Sequence, residues 1–213
     1  MLHINSYDFL IFDCDGVILD SNELKIQAME TALVKSGCQN SQVSELSNLF
    51  RKNFGKSRFY HVSAFAKLIN KDESWETQVL EYYSSMCREL YRNSDLTPGF
   101  LDFVSRSKAK HFIASGSEQA ELRSVFEEKG LSHHFEKIYG SPKKKSQIVS
   151  EVVKTFVGKK FLMIGDAVSD YEAAKDNNID FLCYIPFSNV ESELRRLSAD
   201  VGFDILDNWS ELC

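Results

Sequence analysis

A doubly wound α/β fold, with a parallel sheet between helices and a helical module inserted after the first strand, is the class the sequence predicts. Three observations predict it. Short apolar runs end abruptly in small and acidic residues. From about Ser21 to Leu96 only helical stripes occur, with no convincing strand. Beyond Pro98 helix and strand patterns alternate, the order expected of parallel strands joined by crossover helices.

Taken in order, Phe9 to Phe12 is the first strand and stops at Asp13. A run so short and apolar throughout reads as a buried parallel strand, since a half-exposed strand alternates. Leu24, Ala28, Met29, Ala32 and Leu33 form one helical stripe, with Gly37 as a stop. Phe59, Val62, Phe65, Ala66 and Ile69 form a second stripe. Val79, Leu80, Tyr83, Met86, Cys87 and Leu90 form a third. Thr97 and Pro98 predict a capped helix starting near Gly99. Phe112 to Ala114 is the next strand, and Ser117 is expected to cap a helix ending at Gly130. Ile138-Tyr139, Phe161 to Ile164 and Phe181 to Ile185 are the remaining strand candidates.

Length and composition fit a core domain carrying a smaller insertion. The chain has 213 residues, 43% hydrophobic and 26% charged, the mix of a soluble globular protein. Its apolar runs reach only four or five residues, too short to span a bilayer. The N-terminal residues lack the basic flank and apolar stretch of a secretory signal, so a cytoplasmic location is expected. Five scattered cysteines with no CxxC pair predict reduced thiols. The net charge of −6 argues against nucleic-acid binding.

Ligands of open parallel sheets bind beyond the carboxyl ends of the strands. The predicted strands place Asp13 and Asp15, Ser115, the run Lys143-Lys144-Lys145, and Asp166 with Asp170 at that rim. Four carboxylates together repel unless a cation sits among them, and hard oxygen donors of this kind suit Mg²⁺. Lysine and serine beside them can hold phosphate oxygens. The Gly116 backbone N–H and the helix start after it add an anion site. One aspartate can act as nucleophile, and the carboxyl two residues on can protonate a leaving oxygen. Gly16 lets the chain turn closely around such a site.

The run Asp13-Cys14-Asp15-Gly16-Val17-Ile18-Leu19-Asp20-Ser21 resembles the first signature of the haloacid dehalogenase-like (HAD) superfamily. Ser115 after an apolar strand is similar to its second motif, and Gly140 to Lys145 to a variant of its third. Gly165-Asp166-Ala167-Val168-Ser169-Asp170 resembles the fourth. The motifs run in order along the whole chain, the first and fourth being the specific ones. The resemblance implies a HAD-like Rossmannoid core over 1–20 and 97–213, with an α-helical cap over 21–96. It implies Asp13 as nucleophile and metal ligand, and Asp15 as general acid/base that binds metal through its carbonyl. It further implies Asp166 as metal ligand and Asp170 as its support or the holder of the lysine. Ser115, Gly116 and one lysine would bind the transferring phosphoryl group; the family's Gly-Ser-Pro-x-x-Lys pattern selects Lys145, with Lys143 or Lys144 the alternatives.

The residue two after the nucleophile separates the branches of this superfamily. Dehalogenases lack an acid there and pump ATPases carry threonine, so Asp15 points to phosphatases and phosphomutases. The branch resembling β-phosphoglucomutase carries a cap histidine where this chain has Lys25, which favours hydrolysis. The overall pattern is similar to the phosphoglycolate phosphatase-like branch. A Mg²⁺-dependent phosphatase acting on a small phosphomonoester, a sugar phosphate or phosphorylated small acid, is therefore expected. A phosphomutase and a non-catalytic protein binding a phosphometabolite are the alternatives. A small phosphorylated metabolite is the expected partner, with no nucleic acid and no membrane, the chain being a monomer or homodimer.

Within the cap, Lys56 and Arg58 flank a capping Ser57 and are expected to reach the leaving group or an anionic substituent, with Lys25 a further substrate-facing candidate. Two of the three lysines at 143–145 read as a solvated face. His111, His133 and His134 read as flanking core elements, Tyr82, Tyr83 and Phe65 as cap core, and Cys14 as a small buried filler. Asp20 is expected to steer the loop after the first strand.

Overall fold

Residues 3–212 are described by a computed structural model. Six parallel strands, β1 (Phe9–Phe12), β2 (Lys110–Glu118), β3 (Lys137–Ser141), β4 (Phe161–Gly165), β5 (Asp180–Tyr184) and β6 (Asp204–Leu206), form one sheet. Their order is β3-β2-β1-β4-β5-β6. The chain winds outward from β1 to one edge, then crosses back to β4 and outward to the other. The switch therefore falls between β1 and β4, paired in register from Phe9 with Phe161 to Phe12 with Ile164.

Alternation along the strands sorts the core into two faces. Leu10, Phe12, Ile113, Leu162, Ile164 and Leu182 join one cluster. It includes Phe100 and Phe103 of α5 (Phe100–Arg106) and Leu122, Val125 and Phe126 of α6 (Gln119–Glu128). Ile11, Phe112, Ala114, Met163 and Cys183 join the other. There they meet Ile148 and Val152 of α7 (Lys145–Thr155), Ala173 and Ala174 of α8 (Val168–Asp176), and Leu194 of α9 (Glu191–Val201). With both faces covered, all four residues of β1 are buried, which is why that strand shows no alternation.

Four helices, α1 (Asn22–Lys35), α2 (Asn40–Lys52), α3 (Arg58–Leu68) and α4 (Glu73–Asn93), lie between β1 and β2 in sequence. Their apolar faces, including Met29, Phe50, Phe65, Val79 and Tyr83, continue the first cluster. The chain leaves and returns through a short paired ribbon. Asp20 N–H donates to Asp95 O and Thr97 N–H to Ile18 O, both at 2.9 Å, and Leu19 bridges Leu96.

Several expectations need correction. Ser117 does not cap α6, because β2 runs on to Glu118 and the hydroxyl is used inside the protein. Thr97 does not cap α5 with its side chain; Gly99, in the left-handed region, precedes the helix. The Thr97 hydroxyl instead donates to Val17 O at 2.6 Å. Leu24 and Phe59 belong to their stripes by spacing but are exposed, lying where α1 and α3 have no neighbour to cover them. Strand β6, helix α2 and the 3₁₀ turn at Trp209–Leu212 were not singled out by the apolar pattern. Cys14, Cys38, Cys87 and Cys183 are free and buried, and Cys213 lies outside the described residues. Among the described residues no helix is long and apolar enough to cross a membrane.

Candidate active site

The site forms where β1 and β4 end side by side. Asp13 directly follows β1, its N–H donating to Ile164 O at 2.9 Å, and Asp166 directly follows β4. Asp170 sits in the first turn of α8, where one carboxylate oxygen accepts from the Ala167 N–H at 3.0 Å. Lys145 opens α7. Asp13, Asp166 and Asp170 are buried, and one oxygen from each lies within 4.8 Å of the others. Lys145 Nζ stands 3.1 Å from Asp13 Oδ2 and also bonds Asp170 Oδ1. Lys143 pairs with Glu151 at 2.6 Å and Lys144 is exposed ahead of α7, so Lys145 alone of the three reaches the carboxylates.

Two glycines make this crowding possible. Gly16 has φ +74°, and a Cβ there would run into the Asn22 amide and the Asp166 carboxylate. A Cβ on Gly165 would strike the Asp170 carboxylate.

The donor set fits a divalent cation. Asp13 Oδ1 and Asp166 Oδ1 are buried without a hydrogen-bond partner, and Asp13 Oδ2 meets only the Lys145 ammonium. Three carboxylates face one ammonium group, leaving two negative charges uncompensated if all ionise. Without a further cation, burial pushes the Asp13 carboxyl up to about 7, partly offset by Lys145 and reinforced by Asp170 and Asp15. Burial and the neighbouring Asp13 raise Asp166 well above the carboxylate range. Buried groups so poised take a metal in place of protons. Oxygen-only donors suit Mg²⁺.

Asp15 is placed differently. Its carboxylate lies outside that group of three and accepts four contacts from other side chains. Lys25 Nζ and Ser117 Oγ each approach Oδ2 at 2.8 Å, Ser21 Oγ donates to Oδ1 at 2.6 Å, and Tyr91 OH lies 2.9 Å from Oδ1. Burial would raise its pKa, but the Lys25 charge and the hydrogen bonds from Lys25, Ser21 and Ser117 outweigh it and hold the carboxyl below its usual value. Ser115 is fully buried, its Oγ accepting from Ser117 N–H at 3.1 Å. Gly116 lies against the backbone of Gly55 and Lys56, with no room for a side chain.

The cap candidates divide. Lys25 is 8% exposed and bonds both Asp15 and Ser117. Arg58 does not stand free toward a ligand, as the sequence suggested. It is 4% exposed and bonds Glu121 of α6 and, at 2.8 Å, Ser84 Oγ. Lys56 approaches Asn53 Oδ1 at 3.1 Å and stacks over Tyr60 at the outer edge. A cavity of about 10 Å³, room for one water-sized sphere, lies among Asp15, Lys25, Phe54, Arg58, Tyr83 and Ser117. An open cleft of about 340 Å³ lined by Lys56, Tyr60, Gly116, Lys144 and Lys145 leads outward from it. Asn22, Ser21, Tyr91 and Glu121 were missed by sequence reasoning. Asn22 donates to Asp166 Oδ2 at 2.7 Å and Phe187 O at 2.8 Å, tying α1 to the end of β4. Only the place of Ser21 at the end of the first motif, and of Asn22 directly after it, could have flagged them.

The fold and site together define a doubly wound α/β protein with a buried carboxylate–lysine cluster at its switch point. The haloacid dehalogenase-like hydrolase family model matches residues 10–184, and the chain belongs to that family. Three solved structures share the fold. A predicted phosphatase from Clostridium acetobutylicum is 20% identical with a TM-score of 0.76, over 97% of this chain and 96% of that one. A haloacid dehalogenase-like family hydrolase from Streptococcus pneumoniae is 17% identical with a TM-score of 0.74, over 97% of each chain. A predicted phosphoglycolate phosphatase from Haemophilus somnus is 16% identical with a TM-score of 0.72, over 97% and 96%. No curated protein matches the chain.

Proposed function

We propose that this chain is a Mg²⁺-dependent phosphatase of small phosphomonoesters that works through a phosphoaspartate on Asp13. The observation that carries the reading is the buried Asp13 carboxylate, whose Oδ1 has no hydrogen-bond partner and whose Oδ2 meets only the Lys145 ammonium, at 3.1 Å. A structural aspartate at a turn would have its oxygens satisfied. The solved structures described as phosphatases have the same fold, which agrees with the reading.

In this mechanism substrate entry loosens the contacts that hold Asp15 ionised in the free protein, and Asp15 takes up a proton. An Asp13 oxygen then attacks phosphorus, the bond to the leaving oxygen breaks, and that oxygen takes the proton from the Asp15 carboxyl. Asp15 then takes a proton from water as the water oxygen attacks the phosphoaspartate, releasing phosphate and regenerating Asp13. Asp13, Asp166 and Asp170 would hold or support Mg²⁺, which when bound supplies positive charge against the transferring phosphoryl oxygens. Lys145, Ser115 and the Gly116 N–H would bind those oxygens, and Lys145 also holds Asp13 in place. Asp15 must exchange at least one of its present contacts for the leaving oxygen, so substrate entry has to loosen the group around Lys25, Tyr91 and Ser117. The helices α1–α4 would act as a cap that excludes water during the first step and admits only small substrates.

Phosphate release from a broad panel of phosphomonoesters, with and without Mg²⁺, tests the reading. Metal-dependent release is expected, falling by at least about 10⁴-fold in Asp13→Asn. Release that persists in Asp13→Asn would remove Asp13 as nucleophile. Silence across the panel from folded, Mg²⁺-loaded protein would sink hydrolysis.

A further inference from the structure

Arg58 and Glu121 come from different parts of the chain. Arg58 opens α3 in the inserted helices, and Glu121 lies in α6 on the sheet. Their side chains are each 3% exposed, and Arg58 Nη2 donates to Glu121 Oε2. Ser84 Oγ takes Nη1 at 2.8 Å, Glu118 Oε2 lies 3.9 Å from the same nitrogen, and the guanidinium sits over the Tyr83 ring at 5.2 Å. Nε alone is buried without a partner. The same arginine lines the small cavity next to Asp15 and Ser117.

A buried ion pair is a poor stabiliser, because desolvating both charges consumes most of their attraction. Its effect on the cavity is more definite. Around that space Lys25 is matched by Asp15, and Arg58 by Glu121. The third cation lining it, Lys56, is half-buried. His61, which also lines the cavity, is held neutral by burial and by the charges of Lys25 and Lys56. A carboxylate or second phosphate brought into the cavity would find Arg58 already neutralised by Glu121 and would lie near that carboxylate. A neutral hydroxyl meets no such repulsion.

We propose that Glu121, by neutralising Arg58, makes this protein select phosphomonoesters whose leaving group is a small neutral alcohol or polyol over those whose leaving group carries a carboxylate or a second phosphate. This rests on the phosphatase reading above and on the space beside Asp15, which holds one water-sized sphere in the present arrangement, widening to receive the leaving group as the contacts of Asp15 loosen. Glu121 acts through Arg58 and is therefore a positioning residue for specificity. The arrangement works by repelling the wrong substrate as much as by holding the right one.

The test uses two nearly isosteric esters, 2-hydroxyethyl phosphate and 2-phosphoglycolate, which differ in a CH₂OH against a carboxylate. The wild-type protein is expected to favour the hydroxyethyl ester in kcat/KM by at least about ten-fold. Glu121→Gln keeps the shape and frees the Arg58 charge, so the ratio should move toward phosphoglycolate by about ten-fold or more, mostly through KM. The double variant Arg58→Gln with Glu121→Gln removes both charges and should restore the wild-type ratio, even if the single variant folds poorly. A wild-type preference for phosphoglycolate overturns the proposal, as does a Glu121→Gln variant that slows both esters equally. If no ester is hydrolysed the phosphatase reading falls separately. Calorimetric affinities of the two esters for Asp13→Asn in Mg²⁺ then give the preference without turnover. Equal binding, or tighter binding of phosphoglycolate, overturns the proposal.

Discussion

At the scale of single residues, the site depends on positions that have no side chain as much as on those that do. Gly16 combines a left-handed φ of +74° with a Cα pressed against Asn22 and Asp166. Gly16→Ala is expected to destabilise by about 1–2 kcal/mol from backbone strain and to lower phosphate release by on the order of 10²-fold as Asp166 is displaced. Gly37 has φ +81° with nothing near its absent Cβ, so Gly37→Ala should cost about 1 kcal/mol and leave turnover unchanged. Urea unfolding beside a release assay separates strain from displacement, and equal turnover in the two variants would remove the packing argument. Asp13, Asp166 and Asp170 were legible as carboxylates at or just beyond a strand end, on the rim where parallel sheets bind ligands, whereas Lys145 was set apart from Lys143 and Lys144 only by the resemblance to the family's third motif. The partners of Asp15 and Asp166 were not legible. Tyr91 reaches Asp15 across 76 residues, Asn22 reaches Asp166 across 144, and Arg58 finds Glu121 across 63. No local pattern encodes such meetings; they follow from how α1, α3 and α4 land on the sheet.

At the scale of elements, strands whose burial is complete announced themselves, and helices with one wet face did so less evenly. Helix α2 buries only Leu46, Ser47 and Phe50, too sparse a stripe to stand out, and the three residues of β6 are too few to show any period. Helix α3 carries a buried histidine whose consequence is measurable. His61 packs against Phe50 at 4.5 Å, and burial, with the charges of Lys25 and Lys56, lowers its pKa from 6.5 to about 3. A histidine with a depressed folded pKa is protonated first in the unfolded chain, so acid favours unfolding. Between about pH 6 and pH 4 the wild-type protein should lose about 1 kcal/mol per pH unit more than His61→Phe. Urea unfolding at stepped pH reads this directly, and a difference that does not vary with pH would show that the ring is not held neutral.

At the scale of the whole molecule, the C-terminal turn closes the structure. Trp209 is fully buried, stacked on Tyr184 at 4.6 Å and Phe103 at 4.9 Å, and its indole N–H donates to Thr97 Oγ1 at 3.0 Å. It thus joins β5, α5 and the returning strand of the ribbon that carries the inserted helices. Trp209→Ala should cost about 3–5 kcal/mol of stability, and a loss below about 1 kcal/mol in chemical unfolding would mean the turn is only draped on the surface. That ribbon has a consequence for descent. The chain departs at Asp20 and comes back at Asp95, two residues whose backbones are hydrogen-bonded to each other. A gene can therefore lengthen or shorten the connections between those helices without moving β1 or α5. The exception to this freedom is the few residues that reach down to the carboxylates, Asn22, Lys25 and Tyr91, which any replacement would have to keep.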